Sequence, residues 1–206
     1  MKYKFIWLGQ SVLKLETPLD IFNAINQVYE KNFNKLHKAN KQLVGKIENE
    51  HSLFYDGVES DKMTKHNTLP KNVLDWFRSA YEFYLKVNHV TDYRLKVTSI
   101  WVNEMKDNEY NPVHIHQGSL YTGLSSVMIL KLPKHTGVEY SAANKPMNGQ
   151  FANVDFTPDI KVRDFYVFPY DLRHSVYPFN STGQTRRTLA ANCDVDYNPV
   201  LNRGVK

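Results

Sequence analysis

From about Val90 onward the chain is cut into short pieces by turn residues, and this punctuation limits its fold more than any other feature. Arg94 to Met105 alternates, with Leu95, Val97, Ser99, Trp101 and Asn103 on one face, as a strand with one buried side does. Strand-like segments follow near 113–116, 124–132, 137–140, 160–168, 172–178 and 185–195. Between them stand Asp107-Asn108, Pro133, Asn144 to Gly149, Pro158-Asp159 and Asn180 to Gly183, residues whose backbone preferences make turns. Strands this short and this often interrupted predict a sandwich or barrel.

The first ninety residues read differently. Leu19, Phe22, Ile25, Val28, Tyr29 and Phe33 recur at three- and four-residue steps, and Val73, Leu74, Phe77, Ala80, Tyr81 and Tyr84 repeat that spacing after Pro70. Both are the period of a helix with one buried face. Pro70 is placed where a first-turn proline is tolerated. No repeat or Gly/Ser linker divides the chain. The expectation is therefore a single α+β domain over 1–206, with 1–90 a mostly helical support and 91–197 the β core.

With 206 residues, 42% of them hydrophobic and 13% aromatic, the chain can bury a proper core. No apolar run approaches the roughly 20 residues that span a bilayer, and the start lacks a secretory signal pattern. A single cysteine, Cys193, rules out an internal disulfide and fits a reducing cytoplasm; it reads as a small buried strand residue. The net charge of +5 is scattered. Its densest stretch, Lys31 to Lys46, reads as a solvated face and gives nucleic-acid binding only weak support.

Three of the eight histidines are placed unusually. His114 and His116 flank Ile115 at a strand start, so alternation sends both imidazoles to one face. Two neutral imidazoles side by side are a ready grip for a divalent transition metal. His174 is the best third ligand, since it follows an apolar strand, a turn and the start of a second strand (Phe165 to Val176). Twelve residues on comes Arg186, and alternation puts Arg186, Thr188, Ala190 and Asn192 on one face. A guanidinium fork with a hydroxyl two residues along suits a carboxylate, and Ala190 leaves room for it. Arg187 is expected to point the other way, to solvent.

These residues carry a resemblance. Trp101-Val102-Asn103, Asn111-Pro112-Val113-His114-Ile115-His116-Gln117-Gly118, Leu124-Ser125, Leu130-Lys131-Leu132-Pro133, Phe168-Pro169 to His174-Ser175-Val176-Tyr177-Pro178 and Arg186-Arg187-Thr188 to Asn192 resemble, in order and spacing, the iron(II)/2-oxoglutarate oxygenases. The likeness is to the compact members common in bacteria and tailed phages. Leu43-Val44-Gly45-Lys46-Ile47 followed by Glu50 is similar to the same subgroup. The resemblance implies a double-stranded β-helix, the jelly-roll (cupin-like) barrel, behind the N-terminal helices. It implies His114 and His174 as metal ligands and Arg186 with Thr188 as the cosubstrate clamp. His116 stands where the wider superfamily has a carboxylate. Arg163-Asp164 replaces the usual Gly-Asp, and Ile129 stands where relatives often carry a tyrosine.

The chemistry thus implied takes Fe(II), 2-oxoglutarate and O2. Three protein ligands leave open positions on the iron, and a substrate is hydroxylated as 2-oxoglutarate loses CO2 to give succinate. Asn103, Ser125 and Asn192 are expected to line the barrel beside the cosubstrate. The rival reading is a non-catalytic jelly roll holding Zn(II) or Ni(II) on the three histidines, which all-imidazole sites accept. Arg186-x-Thr188 discriminates, because a metal-binding barrel needs no inward carboxylate clamp. A bare interaction scaffold would leave the histidines unexplained. The prime substrate stays open among a peptide side chain, a nucleobase and a small metabolite; a homodimer also stays open.

Overall fold

The computed structural model describes residues 3–7, 10–40, 45–55, 68–133, 149–151, 154–156, 158–180 and 183–197. The first half contributes β1 (Tyr3–Trp7), β2 (Ser11–Glu16), α1 (Leu19–Asn32), β3 (His37–Lys38), β4 (Asn49–Tyr55) and α2 (Lys71–Val87). The second half contributes β5 (Arg94–Met105), β6 (Asn111–His114), β7 (Gly123–Lys131), β8 (Gly149–Phe151), β9 (Val154–Phe156), β10 (Asp164–Pro169), β11 (His174–Val176) and β12 (Arg186–Asp196). Eight strands form one sheet in the order β1-β2-β10-β7-β12-β5-β4-β3, while β6 pairs with β11 and β8 with β9. Every paired strand in the large sheet is antiparallel. The expected strand near 137–140 lies outside the described residues.

The outer face of the large sheet is covered by the two helices. From α1 it buries Ile21, Ile25 and Tyr29, and from α2 Val73, Phe77, Ala80, Tyr81, Tyr84 and Leu85, the i, i+4 stripes of amphipathic helices. Leu19, expected on that face, is 56% exposed, because Ile21 rather than Leu19 is in phase with Ile25 and Tyr29. Pro70 is the N-cap of α2, one position before the first turn. These stripes meet Leu13, Leu53, Ile100, Val102, Met128, Phe165, Leu189 and Ala191 in one apolar cluster. A second, smaller cluster on the inner face joins Val12, Ile129, Tyr166, Phe168 and Leu172. The two faces together make a jelly roll: the large sheet opposes the β6–β11 pair across a cavity.

Two features depart from the sequence expectation. The N-terminal stretch supplies four strands as well as its helices, and these form both edges of the large sheet. In β5 the single alternating face is broken. Asn192 pairs with Ser99 but Cys193 pairs with Val97, so Thr98 is skipped and the pleat changes phase. Leu95 and Val97 therefore pack on the helix-side core with Ile100 and Val102, while Trp101 and Asn103 face the cavity.

The departures from the family pattern have local explanations. Arg163 has φ 78°, the left-handed region that glycine adopts freely and other residues at a cost. Its guanidinium bonds the Thr17 carbonyl and pairs with Glu16 at 2.9 Å, which offsets part of that cost. Ile129 is fully buried in the inner cluster beside Tyr166 and Phe168, so an apolar side chain suits its position.

A candidate metal centre and its cavity

The three histidines converge because two short strands pair. His174 begins β11 directly opposite His114, the last residue of β6, and His116 lies two residues on, its backbone N–H held by the Tyr170 carbonyl at 2.9 Å. Val113 and Ile115 turn outward and are 64% and 57% exposed, so the alternation between them sends His114 and His116 inward. One ligand nitrogen from each of the three imidazoles lies within 4.8 Å of the others. Two nitrogens sharing one ion at about 2.1 Å sit roughly 3–4 Å apart, so small ring movements close this set on a single ion.

Second contacts fix two of the rings. His114 donates its Nδ1–H to the Pro112 carbonyl at 2.7 Å, and His174 donates likewise to Leu172 at 2.8 Å. Each backbone acceptor holds the proton on Nδ1 and leaves the Nε2 lone pair facing the cavity, which is how ligand histidines are oriented. Nε2 of His116 and of His174 lie 2.9 Å apart. Burial is the largest cause that lowers the pKa of all three; His174 falls to about 3, and His116 is lowered well below its ordinary value, further depressed by the neighbouring imidazoles. All three are therefore neutral donors at physiological pH, the form that binds metal. The rings of Trp101 and Phe168 wall His116 and His174 on the apolar side.

The cavity beside them has a volume of about 460 Å³. Arg186, Thr188, Ala190 and Asn192 of β12 all line it, and so does Asn103 of β5. Arg186 is 1% exposed. Among the described residues its Nη1 reaches only the Met105 sulfur at 3.4 Å, and its Nε and Nη2 have no hydrogen-bond partner. Burial lowers its pKa to about 10, so it stays protonated at pH 7. A buried cation with orphaned donors is costly, and the partner that relieves the cost is an anion of forked geometry such as a carboxylate. The residues present thus fit both groups implied by the sequence: neutral imidazoles for a metal ion and a free guanidinium for a carboxylate.

Not every expected residue meets the cavity. Ser125 is fully buried and does not line it; its hydroxyl donates to Asn192 Oδ1 at 2.9 Å and so positions that amide. Arg187 does turn away from Arg186, but not to solvent. Its guanidinium pairs with Glu104 at 2.6 Å and Glu30 at 3.0 Å and lies 4.6 Å over the Tyr29 ring. Helix α1 covers that side of β12, which sequence alternation alone does not reveal. Asp164 pairs with Lys14 at 2.7 Å. Glu50 and Trp101, which the sequence motifs contain without marking them as site residues, also line the cavity. The loop after His116 is tied down at Asp194, which accepts the Leu120 N–H at 3.1 Å and the Tyr170 hydroxyl at 3.1 Å. Gly118 lies so close to the Asp194 carboxylate that no Cβ fits there.

Comparison with known proteins agrees with this geometry. Residues 99–192 match the family described as "Putative 2OG-Fe(II) oxygenase", a span that contains the three histidines and Arg186. No curated protein matches the chain. Among solved structures, an oxidoreductase of the 2OG-Fe(II) oxygenase family from Burkholderia pseudomallei superposes with a TM-score of 0.59 at 12% identity, covering 89% of this chain and 84% of that one. A Pseudomonas putida prolyl-4-hydroxylase gives 0.56 at 13% identity, covering 89% and 91%. A Trichoplax adhaerens prolyl hydroxylase in complex with a hypoxia-inducible-factor peptide gives 0.57 at 12%, covering 89% and 83%. At such identities these likenesses speak for the jelly-roll fold, and the family match for residues 99–192 speaks for the site. Over residues 99–192 the chain is thus similar to the iron(II)/2-oxoglutarate oxygenase superfamily, and its three-histidine cluster fits iron(II), with 2-oxoglutarate and dioxygen as the cosubstrates of that superfamily.

Proposed function

We propose that the protein is a hydroxylase of this superfamily, a single oxygenase domain in which residues 91–197 carry the chemistry and residues 1–90 support it. The observation that carries the reading is the pairing of two features in one cavity: three inward imidazoles and, beside them, a buried guanidinium with two unpartnered donor atoms. Prolyl hydroxylases among the similar folds favour hydroxylation as the reaction type.

His114, His116 and His174 would hold the iron, the first two from β6 and its extension, the third from β11. Bound iron(II) supplies the oxidising chemistry: one oxygen atom of O2 enters a substrate C–H bond and the other enters succinate, as 2-oxoglutarate loses CO2. The chain's own residues bind and orient. Arg186 offers two charge-assisted N–H donors to the far carboxylate of 2-oxoglutarate, and Thr188, on the same face of β12, offers a hydroxyl beside them. Ala190 keeps that face shallow. Trp101, Val127 and Phe168 keep water from the histidine side of the cavity, which strengthens every polar contact inside it. Asn192 lines a remaining wall as a further cosubstrate contact, with Ser125 acting on it from behind, and Asn103 offers the cosubstrate only its amide N–H, its Oδ1 being left for another partner.

A zinc- or nickel-holding barrel without catalysis accounts for the histidines but leaves the Arg186 guanidinium buried for no return. The discriminating experiment is anaerobic addition of iron(II) and 2-oxoglutarate to the purified protein. A weak visible charge-transfer band that requires both additions supports the reading; a colourless sample with both present contradicts it.

A further inference from the structure

The cavity has a second polar end that 2-oxoglutarate cannot satisfy. Glu50 on β4 stands opposite Asn103 on β5, which stands opposite Thr188 on β12, so the three form one row across the sheet. Glu50 and Asn103 both line the cavity. Glu50 is 7% exposed, and among the described residues its carboxyl accepts no hydrogen bond and meets no cation. Asn103 Oδ1 is likewise buried and without a partner. Among the described residues Glu50 and Arg186 form no ion pair; burial pushes the Glu50 carboxyl up to about 7 and the Arg186 guanidinium down to about 10.

The cavity is therefore polarised. Its Arg186 end has spare donors, and its Glu50–Asn103 end has spare acceptors. 2-Oxoglutarate has two carboxylates and a keto oxygen, all acceptors, so it fits the first end and is repelled by the second. Trp101, on the cavity side of β5 one pleat repeat (about 7 Å) from Asn103, carries an indole whose ring centroid is 6.0 Å from that of His116. It thus stands between the acceptor end and the histidines, presenting a surface that attracts cations. We propose that Glu50 and Asn103 recognise a cationic nitrogen group, an ammonium or guanidinium, on the prime substrate, with Trp101 beside its alkyl stem. The inference rests on the oxygenase reading of the same cavity, because it assigns this end to the molecule that is oxidised.

The test uses full-length protein loaded with Zn(II), as a redox-inert stand-in for iron, and 2-oxoglutarate. The probes are n-butylguanidinium and its neutral counterpart n-butylurea, titrated by NMR. Wild type is expected to bind the cation at least tenfold more tightly than the urea, and Glu50→Gln, which keeps size and shape, is expected to bring the ratio within twofold. Asn103→Asp, which adds a second carboxylate to the row, is expected to raise the ratio above wild type. A wild-type ratio below tenfold, or a tenfold ratio retained in Glu50→Gln, overturns the proposal. Because each ratio is taken within one protein, a general loss of binding does not mimic the result. Zinc-dependent 2-oxoglutarate binding in the same wild-type sample separates the two claims. If it is missing, the oxygenase reading fails; if it is present without a cation preference, only the assignment of Glu50 fails.

Discussion

Replacing Arg186 by Met should make the protein more stable and less able to bind its cosubstrate at the same time. The side chain is 1% exposed, with one weak contact to the Met105 sulfur and two donor atoms unpartnered. A cation in that setting has surrendered its hydration for almost nothing in the ligand-free protein. Apolar replacement of buried charged groups is often stabilising by about 1–4 kcal/mol, and Met keeps much of the volume. For a chain of 206 residues, 1 kcal/mol corresponds to roughly 2–4 °C in Tm, so a rise of at least about 2 °C is expected without ligand. Cosubstrate binding moves the other way. One charge-assisted hydrogen bond contributes about 1.5–3 kcal/mol, so 2-oxoglutarate affinity should fall by roughly ten- to a hundredfold or more, since two donors are removed. Metal content should stay near one per chain. Calorimetric melting and 2-oxoglutarate titration of Arg186→Met read both effects. A lowered Tm with unchanged 2-oxoglutarate affinity would show that Arg186 is a structural residue and would refute the reasoning.

The neighbouring Arg187→Met should do the reverse: losing the pairs to Glu104 and Glu30 strands the largely buried Glu104 carboxylate, costing about 2–4 kcal/mol. Its Tm should drop by several degrees while 2-oxoglutarate affinity in the folded protein is unchanged. His116→Ala should lose most of its iron affinity, because His116 supplies one of the three converging nitrogens, whereas His116→Asp should retain iron with altered turnover; metal analysis after dialysis checks both. Cys193 is fully buried and its thiol is pushed up to about 12 by that burial. It should therefore ignore a thiol reagent at pH 8 in the native protein and react once per chain in denaturant.

The site was more legible in the sequence than the layers around it. His114, His116, Arg186 and Thr188 were readable because strand alternation is strictly local: neighbours along the strand decide the face, and no distant residue intervenes. His174 needed only a strand, a turn and a second strand. What escaped depends on distant packing. The register shift at Thr98 flips the phase of β5 in mid-strand, and nothing in Lys96 to Ser99 marks it, because Val97 and Ile100 are equally apolar. Ser11 to Leu15 of β2 is buried on both faces, between the helices and the inner cluster, so its apolar residues do not alternate and give no period to read. Arg187 was correctly turned away from Arg186, yet its surroundings are set by Tyr29 and Glu30 on a helix more than 150 positions earlier. Glu50 was visible only as part of a motif, since its inward direction follows from pairing with Asn103 across strands far apart in the chain.

The histidine cluster and Arg186 are expected to act on one ligand bound between them. Titration of 2-oxoglutarate into the anaerobic protein, with and without iron(II), measures this coupling directly. Metal at His114, His116 and His174 and the guanidinium of Arg186 should hold opposite ends of the same molecule, so affinity should be at least tenfold higher with iron present and stoichiometry one per chain. Equal affinity with and without iron, or no binding in either case, would contradict the account.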